Sequence, residues 1–348
     1  MGHRRLHRAA RRGGRQGPVS GSQLLWTLVA AAALVATAAA SIAFGSRDVG
    51  LDDVLAGLGG RTEDLDAAVV PERLPRTVLA VVVGAALGLG GALLQGVTRN
   101  PLGDPALLGI SSGAAFAVVV GITFFGIGGP FTTMGLATIG AAGAGAFVYA
   151  VGSLGRGGPT PLKLALSGAV TAAAFTSLVT AMVLTHPDVS HAVGLWQIGG
   201  VGGASWEQLA IAGPVLGAAG LLGLLLARPL NSLALGDDLA AGLGERVRRV
   251  RLLGSLAAVV LCGVATALAG PIAFVGLVVP HAVRLCFGSD HRWLLPISAV
   301  AGAVLLTAAD VLGRVVARPA EIEVGIVTAL LGAPIFIVIV RRMKARGI

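Results

Sequence analysis

Long apolar stretches separated by short polar segments run through almost the whole sequence and constrain the fold more than any other feature. A helix needs about 20 apolar residues to cross the hydrocarbon of a bilayer. Only 12% of the residues are charged, whereas soluble domains carry about 25%. We therefore expect an all-α polytopic membrane protein with about ten transmembrane helices. The expected spans are residues 24–44, 74–97, 107–127, 130–153, 162–186, 206–227, 251–270, 272–285, 293–312 and 323–341.

Glycine is unusually frequent, with 53 residues. Small residues let membrane helices approach closely where no hydrophobic effect drives them together. Pairs of glycines four residues apart therefore predict close helix contacts in a tightly packed bundle. These pairs are Gly84/Gly88, Gly109/Gly113 and Gly213/Gly217.

The distribution of basic residues predicts the orientation in the membrane. With ten spans, 20 of the 26 Lys and Arg residues fall on the side of both termini and 6 on the other side. The positive-inside rule places the richer side in the cytoplasm. Residues 1–23 are then a cytoplasmic basic arm, and residues 343–348 a cytoplasmic tail. The net charge of +9 follows membrane sidedness, so we do not expect nucleic acid as a partner.

One polar segment, residues 228–251, interrupts the apolar pattern with five arginines and three acids. Charges are costly in hydrocarbon, so this segment is expected to project into the cytoplasm. Local signals predict two short helices. Asn231 or Ser232 is expected to cap the first, Asp237 to cap the second, and Gly244 to end it.

Two interpretations of the polar segment stay open from spacing alone. It is either a solvated loop that only fixes topology or a docking element for a cytoplasmic partner. The segment carries a small apolar edge on an otherwise polar surface, and this edge does not decide between the two interpretations. That edge would comprise Leu233, Leu235, Leu239 and Leu243.

The sequence lacks the usual motifs of an enzyme or an ion-coupled carrier. A Walker A motif is excluded because neither lysine, Lys163 nor Lys344, follows a glycine. No residues have the spacing of a metal site or a hydrolase motif. Asp310, Glu207 and His281 are interpreted as satisfied interfacial or packing groups. An ion-coupled secondary transporter or a channel is nevertheless kept as the alternative function.

Several stretches together resemble the FecCD-type permease family of ABC importers for iron-siderophores, haem and cobalamin. The resemblance covers about residues 24–342, which would form the permease domain, with a cytoplasmic coupling loop at 228–250. The matching stretches are Arg-Leu-Pro-Arg-Thr at 73–77, the run at 91–105 that contains Arg-Asn-Pro-Leu-Gly-Asp-Pro, the glycine-containing parts of the polar segment, the Gly-Pro-Ile-Ala-Phe-Val-Gly run at 270–281, and Gly-Ile-Val-Thr-Ala-Leu-Leu-Gly-Ala-Pro at 325–334.

The resemblance implies a type II ABC importer permease in the plasma membrane, driven by ATP hydrolysis on a separate subunit. The expected partners are a second copy or close paralogue, two cytoplasmic ATPase subunits and an extracytoplasmic substrate-binding protein. Ferric siderophore is the expected substrate because it is the commonest one in this class. The chain itself is expected to hold no cofactor, since ATP would be bound by the partner subunit.

The resemblance also implies three groups of functional residues. For the ATPase contact they are Leu235, Gly236, Asp237, Ala241, Leu243 and Gly244. For docking of the binding protein they are Arg73, Arg76 and Arg314, and for the cytoplasmic gate Thr160, Pro161 and Leu162. The gate departs from the family pattern, which often has small hydroxyl residues there. Glu323 also departs, standing where proline is usual, and would adjust docking charge or simply be solvated.

Overall fold

The structure is a computed structural model that describes residues 21–47, 49–60, 65–101, 103–105, 109–154, 161–186, 193–194 and 196–345. Regular structure in these residues is helical. We number the helices α1 to α13. They are α1 Gly21–Ala43, α2 Leu51–Leu58, α3 Leu65–Thr98, α4 Ile110–Phe125, α5 Pro130–Gly152, α6 Pro161–Thr185, α7 Trp206–Leu225, α8 Ala227–Ala234, α9 Asp237–Gly242, α10 Val247–Ala269, α11 Val275–Phe287, α12 His291–Val316 and α13 Val324–Ala345.

Each of the ten predicted spans corresponds to an apolar helix in the structure. Seven of the described helices are long and apolar enough to cross a membrane, and α4, α11 and the apolar part of α13 are shorter. The three remaining helices, α2, α8 and α9, are short and lie in the polar segments between spans. The chain is therefore an all-α membrane protein, as its apolar pattern predicts.

Helices α3 and α12 pack on each other at the centre of the fold with almost no side chains between them. A Cβ atom added at Gly84 would overlap the carbonyl oxygen of Gly302, and one added at Gly88 would overlap that of Ser298. Farther along α3, Gly91 lies equally close to the backbone of Gly276 in α11. Close backbone approach of this kind maximises van der Waals contact between membrane helices.

The other glycine pairs behave differently from one another. Gly113 packs tightly against Gly140 and Ala144 of α5, as expected. Gly213 and Gly217 of α7, however, have no atom within 4 Å of an added Cβ. Their predicted close contact is therefore not made within this chain.

Helix α3 begins nine residues earlier than the expected span, at Leu65 instead of residue 74. Pro71 and Pro75 lie inside this stretch, although proline removes a helical hydrogen bond. Tertiary contacts favour the helix: the hydroxyl groups of Thr77 and Ser41 in α1 are 2.7 Å apart. Arg73, on the same stretch, donates to the end of α1.

Candidate coupling and docking sites

The polar segment folds into the two predicted short helices, but the first one begins differently. Helix α8 starts at Ala227, directly after α7. The prediction that Asn231 or Ser232 caps this helix is wrong, because both lie inside it. The chain re-enters the helical conformation at once after Leu226, so no separate polar cap is needed.

Helix α9 is preceded by Gly236, whose φ of 116° is accessible mainly to glycine. The prediction that Asp237 is the cap is wrong, since it is the first residue of the helix. Its carboxylate instead lies 2.9 Å from Nη2 of Arg251 and 3.3 Å from Nη1 of Arg99. Gly244, with a φ of 88°, follows the end of α9 as predicted.

Leucines of the polar segment form an exposed apolar surface on α8, α9 and the turns that flank them. Leu235, Leu239 and Leu243 are 61%, 62% and 66% exposed. Leu233 was expected on the same edge but is buried under α8. Leu239 was not among the residues carried over from the family, although its exposure matches that of its neighbours. Exposed leucines on a charged segment are typical of a protein–protein contact.

At the opposite end of the bundle, Arg76 of α3 joins two acidic residues from distant parts of the chain. Its Nη2 atom lies 2.8 Å from Oδ1 of Asp310 in α12, and its Nη1 atom 2.7 Å from Oε2 of Glu321. Asp310 also pairs with Arg314 at 2.8 Å. Both carboxylate oxygens of Asp310 therefore have a cationic neighbour, although Oδ2 makes no hydrogen bond within the described residues.

The three arginines predicted to dock the binding protein do not share one environment. The side chain of Arg76 is 14% exposed, whereas that of Arg314 is 2% exposed. Arg314 donates to the carbonyl oxygens of Ser41 and Phe44, and Arg73 donates to those of Ile42 and Ala43. These carbonyls end α1, so both arginines satisfy the C-terminal end of a helix.

The pKa values of two glutamates near Arg76 are shifted in opposite directions. Burial acts to raise the pKa of Glu321, but the hydrogen bond and charge of Arg76, helped by Ser46 and Arg314, lower it overall. Burial raises the pKa of Glu323; the charge of Arg76 opposes this, while Glu321 and Asp310 add to it. Glu323 packs against Gly200 and is half-buried, not fully solvated.

The predicted cytoplasmic gate lies at the edge of what the structure describes. Thr160 is outside the described residues. Pro161 is the first residue of α6 and Leu162 the second. The gate therefore stays a prediction.

Comparison with known proteins decides the family. The model of the FecCD transport family matches residues 33–342. The chain belongs to this family. The FecCD match spans all ten membrane helices except the start of the first and the last three residues of the tenth.

Individual FecCD relatives agree with the family match. The ferric enterobactin transport system permease protein FepD of Escherichia coli (strain K12) is 44% identical over 316 residues, which are 90% of this chain and 94% of the relative. The hemin transport system permease protein HmuU of Yersinia pestis is 42% identical over 78% of this chain and 82% of the relative. A solved metal-chelate type ABC transporter in an inward-facing conformation matches with a TM-score of 0.76 at 29% identity, over 90% of this chain and 97% of that one.

As a FecCD permease, this chain is a multi-pass cell-membrane subunit of an ABC importer and not an enzyme. Subunits of this kind work with ATPase and binding-protein partners. Neither the family match nor the solved structure supports the alternative of an ion-coupled carrier or a channel.

Proposed function

We propose that this chain is the membrane permease of a ferric-siderophore importer. The observation that carries the proposal is the near full-length similarity to FepD, whose name assigns it to ferric enterobactin transport. The iron(3+)-hydroxamate import permease FhuB of Bacillus subtilis (strain 168) is 45% identical over 79% of this chain and 71% of its own length. Hemin is the second candidate substrate, because HmuU is similar at nearly the same level.

The proposed assembly is a homodimer with two ATPase subunits on the cytoplasmic side. The membrane helices expose many large apolar side chains, for example Leu178 and Leu221, as contact with lipid or with a membrane partner requires. The positive-inside distribution supports an orientation in which both termini and the polar segment face the ATPase subunits.

The exposed edge of the polar segment is the proposed ATPase contact. Leu235 and Leu243 supply apolar area, and Gly236 and Gly244 shape the turns around α9. Asp237 pairs with Arg99 and Arg251 and so holds α9 in place. Its role in this proposal is to position the leucines and not to contact the ATPase directly. Ala241 is exposed between the leucines.

A substitution tests this contact. Leu243→Glu is expected to leave the permease folded but to release the ATPase on purification, because it places a charge in an apolar contact. Asp238→Ala, an exposed residue on the same helix, is the matched control and is expected to retain the ATPase. Equal ATPase retention in the two variants would reject the contact.

The arginine cluster at the other end is the proposed docking site for the binding protein. Arg76 is the direct contact in this proposal, because part of its side chain reaches the surface and it already binds an exposed carboxylate of Glu321. Arg73 and Arg314 are buried, so they hold α1 against α3 and α12 beneath it. Charge pairs at such a surface steer and orient docking.

The docking role predicts a salt-dependent effect. Arg76→Glu is expected to weaken binding of the partner at low ionic strength, and the difference from the unsubstituted chain should shrink as salt screens the charges. Arg47→Glu, a nearby outer arginine, is the control. The same affinity for both variants at low salt would argue against Arg76 as the contact.

Uptake into proteoliposomes tests the function as a whole. The chain is reconstituted with its candidate ATPase and binding protein, and uptake of ⁵⁵Fe-labelled ferric enterobactin is measured with and without internal ATP. Uptake that needs ATP and both partners is expected. Uptake by the chain alone along an ion gradient would overturn the proposal. ATP-dependent uptake of haem but not of ferric siderophore would show that haem is the substrate.

A further inference from the structure

Asn231 joins the polar segment to a helix that is far away in sequence. Its Nδ2 atom donates to Oδ1 of Asp290 at 2.6 Å. Its Oδ1 atom accepts from the backbone N–H of His291 at 2.9 Å and lies 2.8 Å from Nδ1 of the same histidine. One amide therefore engages three groups at the start of α12.

Asp290 is well suited to hold this contact. It caps α12, because its carboxylate accepts from the backbone N–H of Arg292 at 3.0 Å. Burial acts to raise its pKa, but the hydrogen bonds from the Arg292 backbone and from Asn231, with the charge of Arg292, lower it overall. The carboxylate is therefore ionised at neutral pH, and a hydrogen bond to a charged group is stronger than one between neutral groups.

Buried side chains on the same helix reinforce the contact. Leu230 and Leu233 flank Asn231 on α8 and are 0% and 1% exposed. Helix α8 packs on α12 and on α3. The ring of His291 lies against α3, since a Cβ added at Gly96 would be 2.8 Å from its Nε2 atom.

Helix α12 extends from this contact to the other end of the bundle. Its 26 residues span about 39 Å at 1.5 Å per residue. Near its far end lie Asp310 and Arg314, the partners of Arg76 and of α1. Along its length it touches the backbone of α3 at Gly84 and Gly88. A pair of helices in backbone contact has little freedom to deform, so it moves as a unit.

We propose that Asn231 is a positioning residue through which movement of the ATPase-bound polar segment reaches α12, and with it α3 and the outer arginine cluster. This rests on the proposed function. The family resemblance implies movement of the flanking spans α7 and α10, which are joined to the polar segment by the chain itself. The contact made by Asn231 adds a third and a fourth helix that no chain connection supplies.

The test compares coupling with assembly in the complete transporter. Asn231→Ala removes all three contacts. We expect the complex to retain its ATPase and its basal ATP hydrolysis, while ferric enterobactin transported per ATP falls at least about tenfold, which is the effect of losing the charge-assisted hydrogen bond to Asp290 alone. Ser232→Ala, the next residue on α8, is the matched control and is expected to keep normal coupling.

A rescue experiment separates coupling from a merely structural role. Asn231→Asp alone places two carboxylates side by side and should uncouple the transporter. The double variant Asn231→Asp with Asp290→Asn restores one donor and one acceptor across the same gap, and coupling should return to within about threefold of the unsubstituted complex, the free energy of less than one hydrogen bond. If the Asn231→Ala complex does not assemble, the comparison of Asn231→Asp with the double variant tests the proposal instead. Normal coupling in Asn231→Asp, or no recovery in the double variant, would overturn the proposal.

A spectroscopic readout keeps the test independent of the substrate. A spin label is attached through Leu312→Cys, because Leu312 is 44% exposed near the outer end of α12. The exposed Cys286 is first replaced by serine so that it does not take the label. Vanadate trapping of the ATPase should change the distance between labels in the paired copies, and Asn231→Ala should abolish the change. A complex that transports no chelate contradicts the proposed function, whereas an unaltered distance change in Asn231→Ala contradicts only the role of Asn231.

Discussion

Replacing Asp310 with asparagine should destabilise the chain more than any other single loss of charge at the end of the bundle that holds Arg76. The Asp310 side chain is 2% exposed and lies 2.8 Å from both Arg76 and Arg314. Breaking a buried ion pair costs about 3–5 kcal/mol because one charge stays buried without a counter-charge.

The structure places the expected loss toward the lower end of that range. Arg76 keeps its contact with Glu321 at 2.7 Å. Arg314 keeps the carbonyl of Ser41 at 3.1 Å and its hydroxyl at 2.8 Å. We therefore expect a loss of about 3 kcal/mol in the free energy of unfolding, which is roughly a hundredfold in the equilibrium constant.

Denaturant titration of the purified protein in detergent, followed by tryptophan fluorescence, measures this loss. Asp238→Asn, an exposed acid on α9, is the control and should change stability by less than about 0.5 kcal/mol. A double variant, Asp310→Asn with Arg314→Gln, removes both charges, keeps an amide donor for the carbonyl oxygens at the end of α1, and should recover part of the loss. The reasoning is refuted if Asp310→Asn costs less than about 1 kcal/mol or if the double variant is less stable than the single one.

Three further outcomes follow from the packing and the charges. Gly91→Ala should cost on the order of 1–3 kcal/mol in the same titration because the new methyl group meets α11 backbone, whereas Gly217→Ala should be close to neutral. Glu323→Gln should stabilise the protein at pH 7, since burial raises the pKa of this acid and so penalises its charged form, and the gain should disappear below about pH 4, where the acid is protonated in both states. Maleimide should label the exposed Cys286 in the folded protein and leave the buried Cys262 unlabelled until it unfolds.

The membrane helices could be predicted because hydrocarbon imposes a simple rule on each stretch by itself. The expected span 206–227 corresponds to a helix at Trp206–Leu225, and 272–285 to one at Val275–Phe287. A sufficiently long run of apolar residues predicts a membrane helix without any information about the rest of the fold. Only at α3 did the N-terminal limit move by more than four residues, and there Arg73 contacts the end of α1 and two prolines lie inside the helix.

The functional contacts were harder to predict because they join residues that are distant in sequence. Arg76 and Asp310 are 234 residues apart, and Asn231 and Asp290 are 59 residues apart. Local signals assigned Asn231 and Asp237 to helix caps because such residues commonly cap helices. The fold instead uses both side chains to join separate elements, and periodicity in a single sequence contains no information about which elements will meet.

The backbone contact between α3 and α12 restricts how this sequence can vary. At Gly84, Gly88 and Gly302 a single added methyl group would meet a carbonyl oxygen, which cannot turn aside as a side chain can. Random mutagenesis followed by selection for uptake should therefore deplete nearly every substitution at these three positions. The exposed leucines of α6 and α7 should meanwhile drift freely among apolar residues, so tolerance to mutation would map the interior of this protein without any structure.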